Sequence, residues 1–327
     1  MKKTIALVTG GFSGEAVISY KSAVTIDNNL DRTKFNVYKI DINPSGWYYE
    51  DSNGKKAEVD KNDFSLHIGK DKITFDAVFI GMHGTPGEDG KLQGYFDTLK
   101  IPYTSCDAST SAITFNKRYT VAVASFSGIN VAKSVLLIKD NFGSPEEVIQ
   151  NLRFPVFIKP NNGGSSIGMS RVNNPSDELG AAIEKAFKED NQVLIEEYIK
   201  GREFTIGVFK TKGNIIALPI TEVISKKEFF DYEAKYQGAS TEITPAEVDE
   251  TIAEEVRNTA KKIYALFNCR GVVRIDFIYN EQERKLYMLE INTIPGQSDA
   301  SLVPQQVRAM GWNLKEFYTR LVEECFE

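Results

Sequence analysis

A chain of 327 residues is longer than one ordinary domain of roughly 100–200 residues, so two or three compact lobes are expected. Its 42% hydrophobic and 26% charged residues are ordinary for a globular protein, and no stretch is long and apolar enough to cross a bilayer; a net charge of −6 with both signs interspersed argues weakly against a nucleic-acid footprint. Cys106, Cys269 and Cys325 are far apart and in no metal-like spacing, which disfavours a disulfide framework or a zinc site and suits a reducing cytosol.

The N-terminal run MKKTIALVTGG is too short for a signal-peptide core and lacks a cleavage site. It reads as a buried strand over residues 4–9 that feeds a glycine turn. Up to about Asp107, short apolar runs alternate with amphipathic stretches: a strand near 5–8, a helix over 15–30, and strands near 36–42 and 77–81. That alternation predicts an α/β lobe with parallel pairing. Residues 46–60 hold a Ser-Asn-Gly turn between extended pieces, a hairpin expected to be decoration. From 109 to 201 come helical stretches, a strand over 131–138, a helix opened by Ser144-Pro145, and the strand–loop–strand FPVFIKPNNGGSSIGMSRV. The remainder opens near Arg202 with extended runs to Ile224. A polar aromatic segment follows, and then a helix over 245–267 with Pro245 in its first turn. The expected lobes are therefore 1–108, 109–201 and 202–327.

Residues 270–296, RGVVRIDFIYNEQERKLYMLEINTIPG, carry the most chemistry. Alternating runs over 272–279 and 285–292 flank the polar turn 280–283, the pattern of an antiparallel hairpin. Side chains two apart share a face, so Arg274 and Asp276 point together, as do Glu290 and Asn292. Val273, Ile275, Phe277, Leu289 and Ile291 are expected on the other face. If Asp276 lies opposite Glu290, the like charges repel unless something positive lies between them. Mg²⁺, which accepts one or two carboxylates and leaves its other positions to nucleotide phosphates, meets that demand. A solvated hairpin face is the alternative, but four polar positions alternating with five apolar ones favour the metal.

Lys159 precedes a loop of small residues, NNGGSS, whose backbone N–H groups and Ser165 and Ser166 hydroxyls suit phosphate. It is not a Walker A loop, which ends in Gly-Lys-Ser/Thr at a helix start. In LIEEYIKGREF, Glu196 and Glu203 can meet adenine and ribose, or are exposed strand charges. GGFSGE lacks the dinucleotide-binding spacing; its Glu15 stands at a helix start, where it can bind an ammonium group or merely cap. His83, in the loop MHGTPGEDG past a strand end, is placed for ligand contact or for a structural role.

In this order, HGTPGEDG, KPNNGGSSIGMS, YEAKY, RIDF and EINTIPG resemble the D-alanine:D-alanine ligase family of the ATP-grasp superfamily, from Gly10 to the C-terminal region. The resemblance implies an N-terminal parallel α/β lobe followed by central and C-terminal lobes that sandwich ATP. It implies a cytoplasmic homodimer joined through the N-terminal lobe, with two Mg²⁺ ions (Mn²⁺ as substitute) and with D-alanine and ATP as small-molecule partners. The carboxylate of one D-alanine would attack the γ-phosphate, and the amine of a second would displace the acyl phosphate, giving a peptidoglycan precursor. By the same resemblance Lys117 and Lys159 hold the α- and β-phosphates beside Ser165 and Ser166, while Glu196, Glu197, Tyr198, Ile199 and Glu203 form the adenine and ribose site. Asp276, Glu290 and Asn292 bind the metal ions. Glu15 receives the first substrate's ammonium with His83 beside it. Arg274 and the Gly296 N–H form the oxyanion hole, and Ser301 with the Leu302 backbone takes the second carboxylate. Lys235 and Tyr236 sit on a closing loop, where Tyr236 would meet Ser165 and Glu15. Three departures stand out: Val17 replaces the family's second glutamate, Asn162-Gly163 replaces commonly charged residues, and Gln297 replaces a frequent apolar residue beside the second subsite. The alternative is a ligase with another acceptor such as D-lactate, against which Tyr236 argues.

Overall fold

The computed structural model describes residues 2–141, 143–144, 149–164, 166–175, 178–225 and 240–327. Its first strand, Lys3–Gly10 (β1), is apolar and buried from Ile5 onward, the character of a central strand covered on both faces. It pairs in parallel with Phe35–Asn43 (β2) and Ala77–Ile80 (β7). The helix Ala16–Asn29 (α1) makes the crossover. Between β2 and β7 the chain runs antiparallel through Gly46–Glu50 (β3), Lys56–Asp60 (β4), Ser65–Ile68 (β5) and Asp71–Ile73 (β6), in the order β6-β5-β4-β3-β2-β1-β7. The 46–60 hairpin therefore extends the main sheet instead of decorating it. Trp47 anchors it by edge-to-face contacts with Phe64 and Tyr95.

Lys91–Leu99 (α2), Ala108–Phe115 (α3) and Lys117–Phe126 (α4) lead to the second sheet. The last two are capped by Asp107 and Asn116, whose side chains accept from Thr110 N at 2.8 Å and Tyr119 N at 3.1 Å. This sheet is antiparallel throughout: Ser134–Ile138 (β8), Val156–Pro160 (β9), Ser170–Val172 (β10) and Gln192–Glu197 (β11), ordered β10-β9-β11-β8. Leu179–Phe187 (α5) covers it with Leu179, Ala182, Ile183 and Ala186 at helical spacing. β8 begins three residues later than expected, because Val131 forms an isolated bridge with Met288. Pro145, expected to open a helix with Ser144, lies outside the described residues.

The third sheet runs β15-β14-β12-β16-β17, from Arg202–Thr211 (β12), Asn214–Ala217 (β13, paired on β12), Thr221–Ser225 (β14), Ser240–Ile243 (β15), Val272–Asn280 (β16) and Lys285–Asn292 (β17). Against it packs Glu250–Leu266 (α6), not a helix from Pro245. The Ala246 N–H bonds to Ile220 O at 2.8 Å, tying that segment to the sheet, and the Asp249 carboxylate supplies the cap by accepting from Thr251 N at 2.9 Å. Leu302–Ala309 (α7) and Leu314–Glu324 (α8) end the chain. α8 buries Phe317, Tyr318 and Leu321 in one core with Ile5 and Leu7 of β1 and Phe209 of β12, so the first and third sheets are held together by apolar packing.

Gly271 lies at a close backbone contact beside that packing. Its φ is +62°, and a Cβ there would stand 1.8 Å from the Thr104 carbonyl oxygen, where the first lobe's last loop meets the start of β16. Gly271→Ala should cost about 3 kcal/mol or more, combining left-handed strain with a backbone clash. Calorimetric melting checks this; an unchanged midpoint would show that the contact is not needed.

Candidate active site

The hairpin forms, and in it Asp276 pairs with Glu290 and Arg274 with Asn292, which meets the condition set for the acidic pair. A bulge beyond Asp276 sets Phe277 against Met288, which shifts the alternation of β17. Met288, not Leu289, therefore enters the core, and Leu289 lines a cavity beside Glu290. The positive charge that the two carboxylates require comes from Arg274. Its Nε and a terminal nitrogen donate to the two Asp276 oxygens at 2.9 Å each, and Glu290 lies 3.6 Å away. Thr205, opposite Asp276 on β12, donates its hydroxyl to the same carboxylate. Burial opposes the Arg274 charge, yet the charge and hydrogen bonds of Asp276, with Glu290 and Glu88 beyond, outweigh it and raise its pKa.

Two cavities meet at this hairpin. The first, about 390 Å³, is lined by Glu15, His83, Arg274, Asn292, Gly296, Ser301 and Leu302 among others. The second, about 550 Å³, lies between the two antiparallel sheets and is lined by Lys159, Ser166, Glu196, Tyr198 and Ile199. Lys117, Gly163, Gly164, Glu203, Asp276 and Glu290 line both. An acidic pair at such a junction can face a phosphoryl group from one side and an acceptor from the other.

Two lysines stand at the loop of small residues. Lys117 Nζ donates to Gly163 O at 2.6 Å, and Lys159 pairs with Glu196 at 2.9 Å. Ser166 adopts φ +57° within the loop. A Cβ on Gly164 would lie 2.7 Å from one Glu15 carboxylate oxygen, and one on Gly84 would lie 2.7 Å from the other. Glu15 is therefore seated where the loop and the His83 segment close on it, and only glycine permits that approach. His83 has its Nδ1 3.8 Å from Glu88, whose other oxygen accepts from Gly84 N at 2.9 Å. Ser301 stands at the N-terminus of α7, its hydroxyl 2.7 Å from that of Ser298. Helix dipole and free N–H groups there favour a carboxylate.

Some expected residues sit elsewhere. Glu197 is adjacent to Glu196 on β11, so its side chain takes the opposite face and binds Arg153 at 2.8 Å, away from the second cavity. Val17 is 59% exposed and lines neither cavity. Gln297 is buried behind the first cavity instead of beside a subsite. Ser165, Lys235 and Tyr236 lie outside the described residues. Glu88 and Thr205 were missed: the acid of HGTPGEDG was a readable signal for the first, whereas the second follows only from the pairing of β12 with β16.

Among the described residues no cluster of three or more His, Cys, Asp or Glu is placed to hold a metal. The donor set offered is two carboxylates and the Asn292 amide oxygen, which also accepts from Ile294 N at 3.0 Å. That set is too sparse for an all-protein cage but fits Mg²⁺, whose shell is finished by phosphates and water.

Two antiparallel sheets closing on a nucleotide-sized cleft, beside an α/β lobe that supplies a second pocket, define an ATP-grasp ligase. The comparisons agree. The chain belongs to the D-ala D-ala ligase family, whose N-terminal model matches residues 4–106 and whose C-terminal model matches residues 120–323. It is 46% identical to the D-alanine–D-alanine ligase of Phocaeicola vulgatus, covering 100% of both chains. Among solved structures it resembles a D-Ala:D-Ser ligase from Enterococcus faecalis (TM-score 0.89, 31% identity, 99% and 100% covered). It also resembles the D-alanine–D-alanine ligase from Bacillus anthracis complexed with ATP (TM-score 0.78, 26% identity, 99% and 97% covered).

Proposed function

We infer that the chain uses ATP to join two molecules of D-alanine through an acyl phosphate, and that the meeting of the two cavities at Asp276 and Glu290 carries this reading. ATP lies in the larger cavity, with adenine and ribose toward Glu196, Tyr198, Ile199 and Glu203, and phosphates toward Lys117, Lys159 and the 163–166 loop. Asp276, Glu290 and Asn292 hold Mg²⁺, or Mn²⁺ in its place, which supplies charge neutralisation at the phosphates. In the smaller cavity Glu15 takes the ammonium of the first D-alanine, with His83 beside it. A carboxylate oxygen of that molecule attacks the γ-phosphorus and ADP leaves. The second D-alanine places its carboxylate at the α7 N-terminus by Ser301 and Leu302, and its amine attacks the acyl carbon. Arg274 and the Gly296 N–H stabilise the oxyanion, and inorganic phosphate departs as the amide forms. Lys235 and Tyr236, on the segment between β14 and β15, serve as the lid that excludes water.

The chain divides into lobes 1–108, 109–201 and 202–327, with substrate on the first and ATP between the others. The product serves peptidoglycan synthesis in the cytoplasm. Exposed Val17, Tyr20 and Val24, along one stripe of α1, support a homodimer through the first lobe; no helix among the described residues is long and apolar enough to cross a membrane.

The test is incubation of the purified protein with ATP, Mg²⁺ and D-alanine, following ADP and identifying the product by mass, with L-alanine and added D-lactate in parallel. ADP with a D-alanyl-D-alanine mass, absent with L-alanine, is the expected result. A depsipeptide would reassign the acceptor, and no ADP with any amino acid would overturn the reading.

A further inference from the structure

Behind the first cavity runs a buried chain of hydrogen bonds that none of the roles above uses. Tyr318 on α8 donates its hydroxyl to Gln297 Oε1 at 3.1 Å, and Gln297 Nε2 donates to Pro295 O at 3.1 Å. The Gln297 backbone N–H donates to Ser22 Oγ on α1 at 3.1 Å, and Ser22 Oγ lies 2.9 Å from His83 Nε2. The His83 backbone is pinned separately, its N–H donating to Ser19 Oγ at 2.9 Å. Tyr318, Gln297, Ser22 and His83 are all buried, so each bond is made without competition from water.

A serine hydroxyl has a single proton. Gln297 N–H occupies an acceptor position on Ser22, and the bonds to Gln297 and His83 are the side-chain bonds of Ser22 among the described residues. The Ser22 O–H therefore points at Nε2 of His83, which must accept. A neutral imidazole that accepts at Nε2 carries its proton on Nδ1, which faces Glu88 at 3.8 Å beside the first cavity. An imidazolium would donate from Nε2, leaving Ser22 accepting twice with its own proton buried and unbonded, which is costly.

We propose that Gln297 and Tyr318 are positioning residues that, through Ser22, fix His83 as the Nδ1–H tautomer and aim it at the first substrate. This rests on the reading that His83 faces that substrate. Gln297 adjoins Gly296 in the loop that runs to Ser301, so the same bond links the loop of the second subsite to the histidine of the first.

The chain has two histidines, and His67 is exposed, so ¹⁵N labelling of imidazoles gives two assignable spin systems. Without substrate, His83 should show an unprotonated Nε2 and a protonated Nδ1. Ser22→Ala should give a mixture of tautomers. Tyr318→Phe, which keeps the ring and the core volume, and Gln297→Met should shift the Nε2 signal. Both should raise KM for D-alanine by about 3–10-fold, the size of one neutral hydrogen bond, with a smaller change in kcat. A protonated Nε2 in the unaltered protein, or a His83 signal unmoved in both Tyr318→Phe and Gln297→Met, would overturn the proposal. The imidazole signals are read without turnover, so they stand or fall independently of whether D-alanine is the substrate.

Discussion

Asp276→Ala should both abolish ADP formation and destabilise the fold by about 3–5 kcal/mol, the usual cost of leaving a buried charge without its partner. The reason is geometric. Asp276 is buried and receives two hydrogen bonds from Arg274 and one from Thr205, so alanine strands a guanidinium that is itself only 15% exposed. Glu290 differs. Its side chain is 42% exposed and meets Arg274 at 3.6 Å, a loose pair of small energetic value. Glu290→Gln should therefore stop turnover with little change in the unfolding midpoint. Denaturant unfolding beside an ADP assay separates the two variants. Equal stability of both would show that the Asp276–Arg274 pair is not structural, and retained turnover in both would remove the metal assignment.

Arg274→Met should lower kcat/KM by about 10²–10³-fold, the magnitude associated with removing one oxyanion donor. It should also weaken the fold, because Asp276 and Glu290 face each other in register on β16 and β17 and lose the cation between them. Arg274→Lys keeps the charge but not the fork that engages both Asp276 oxygens. It should regain more stability than activity. If lysine restores full turnover, Arg274 serves as a counter-charge alone, and the oxyanion role assigned to it is wrong.

Much of this site was legible in the chain because its parts are local. The antiparallel hairpin with its short turn was readable from the alternation, although uninterrupted counting from that turn would set Asp276 opposite Leu289 and the bulge is what brings Glu290 there; the strand–loop–strand at 156–172 likewise carries Lys159 into a glycine loop. Where counting failed, a long-range contact or a local irregularity intervened. The bulge after Asp276 exchanged Leu289 for Met288, whereas the placing of Glu197 on the face away from the cavity that Glu196 enters follows from alternation and corrects only what the resemblance implied. Pro245 read as a helix start, but Ala246 is held by Ile220 of the neighbouring segment and the helix waits for Asp249.

The sequence by itself determined the order of the elements, the alternation of β16, the loop of small residues and the family to which these segments belong, since each is set within a dozen or so neighbouring residues. Only the tertiary structure decided that Thr205 braces Asp276, that Glu15 is seated between Gly84 and Gly164, and that Gln297 reaches His83 through Ser22. Those contacts join residues far apart in the chain, and they come into being when strand register and the apolar packing of α1 and α8 bring their carriers together.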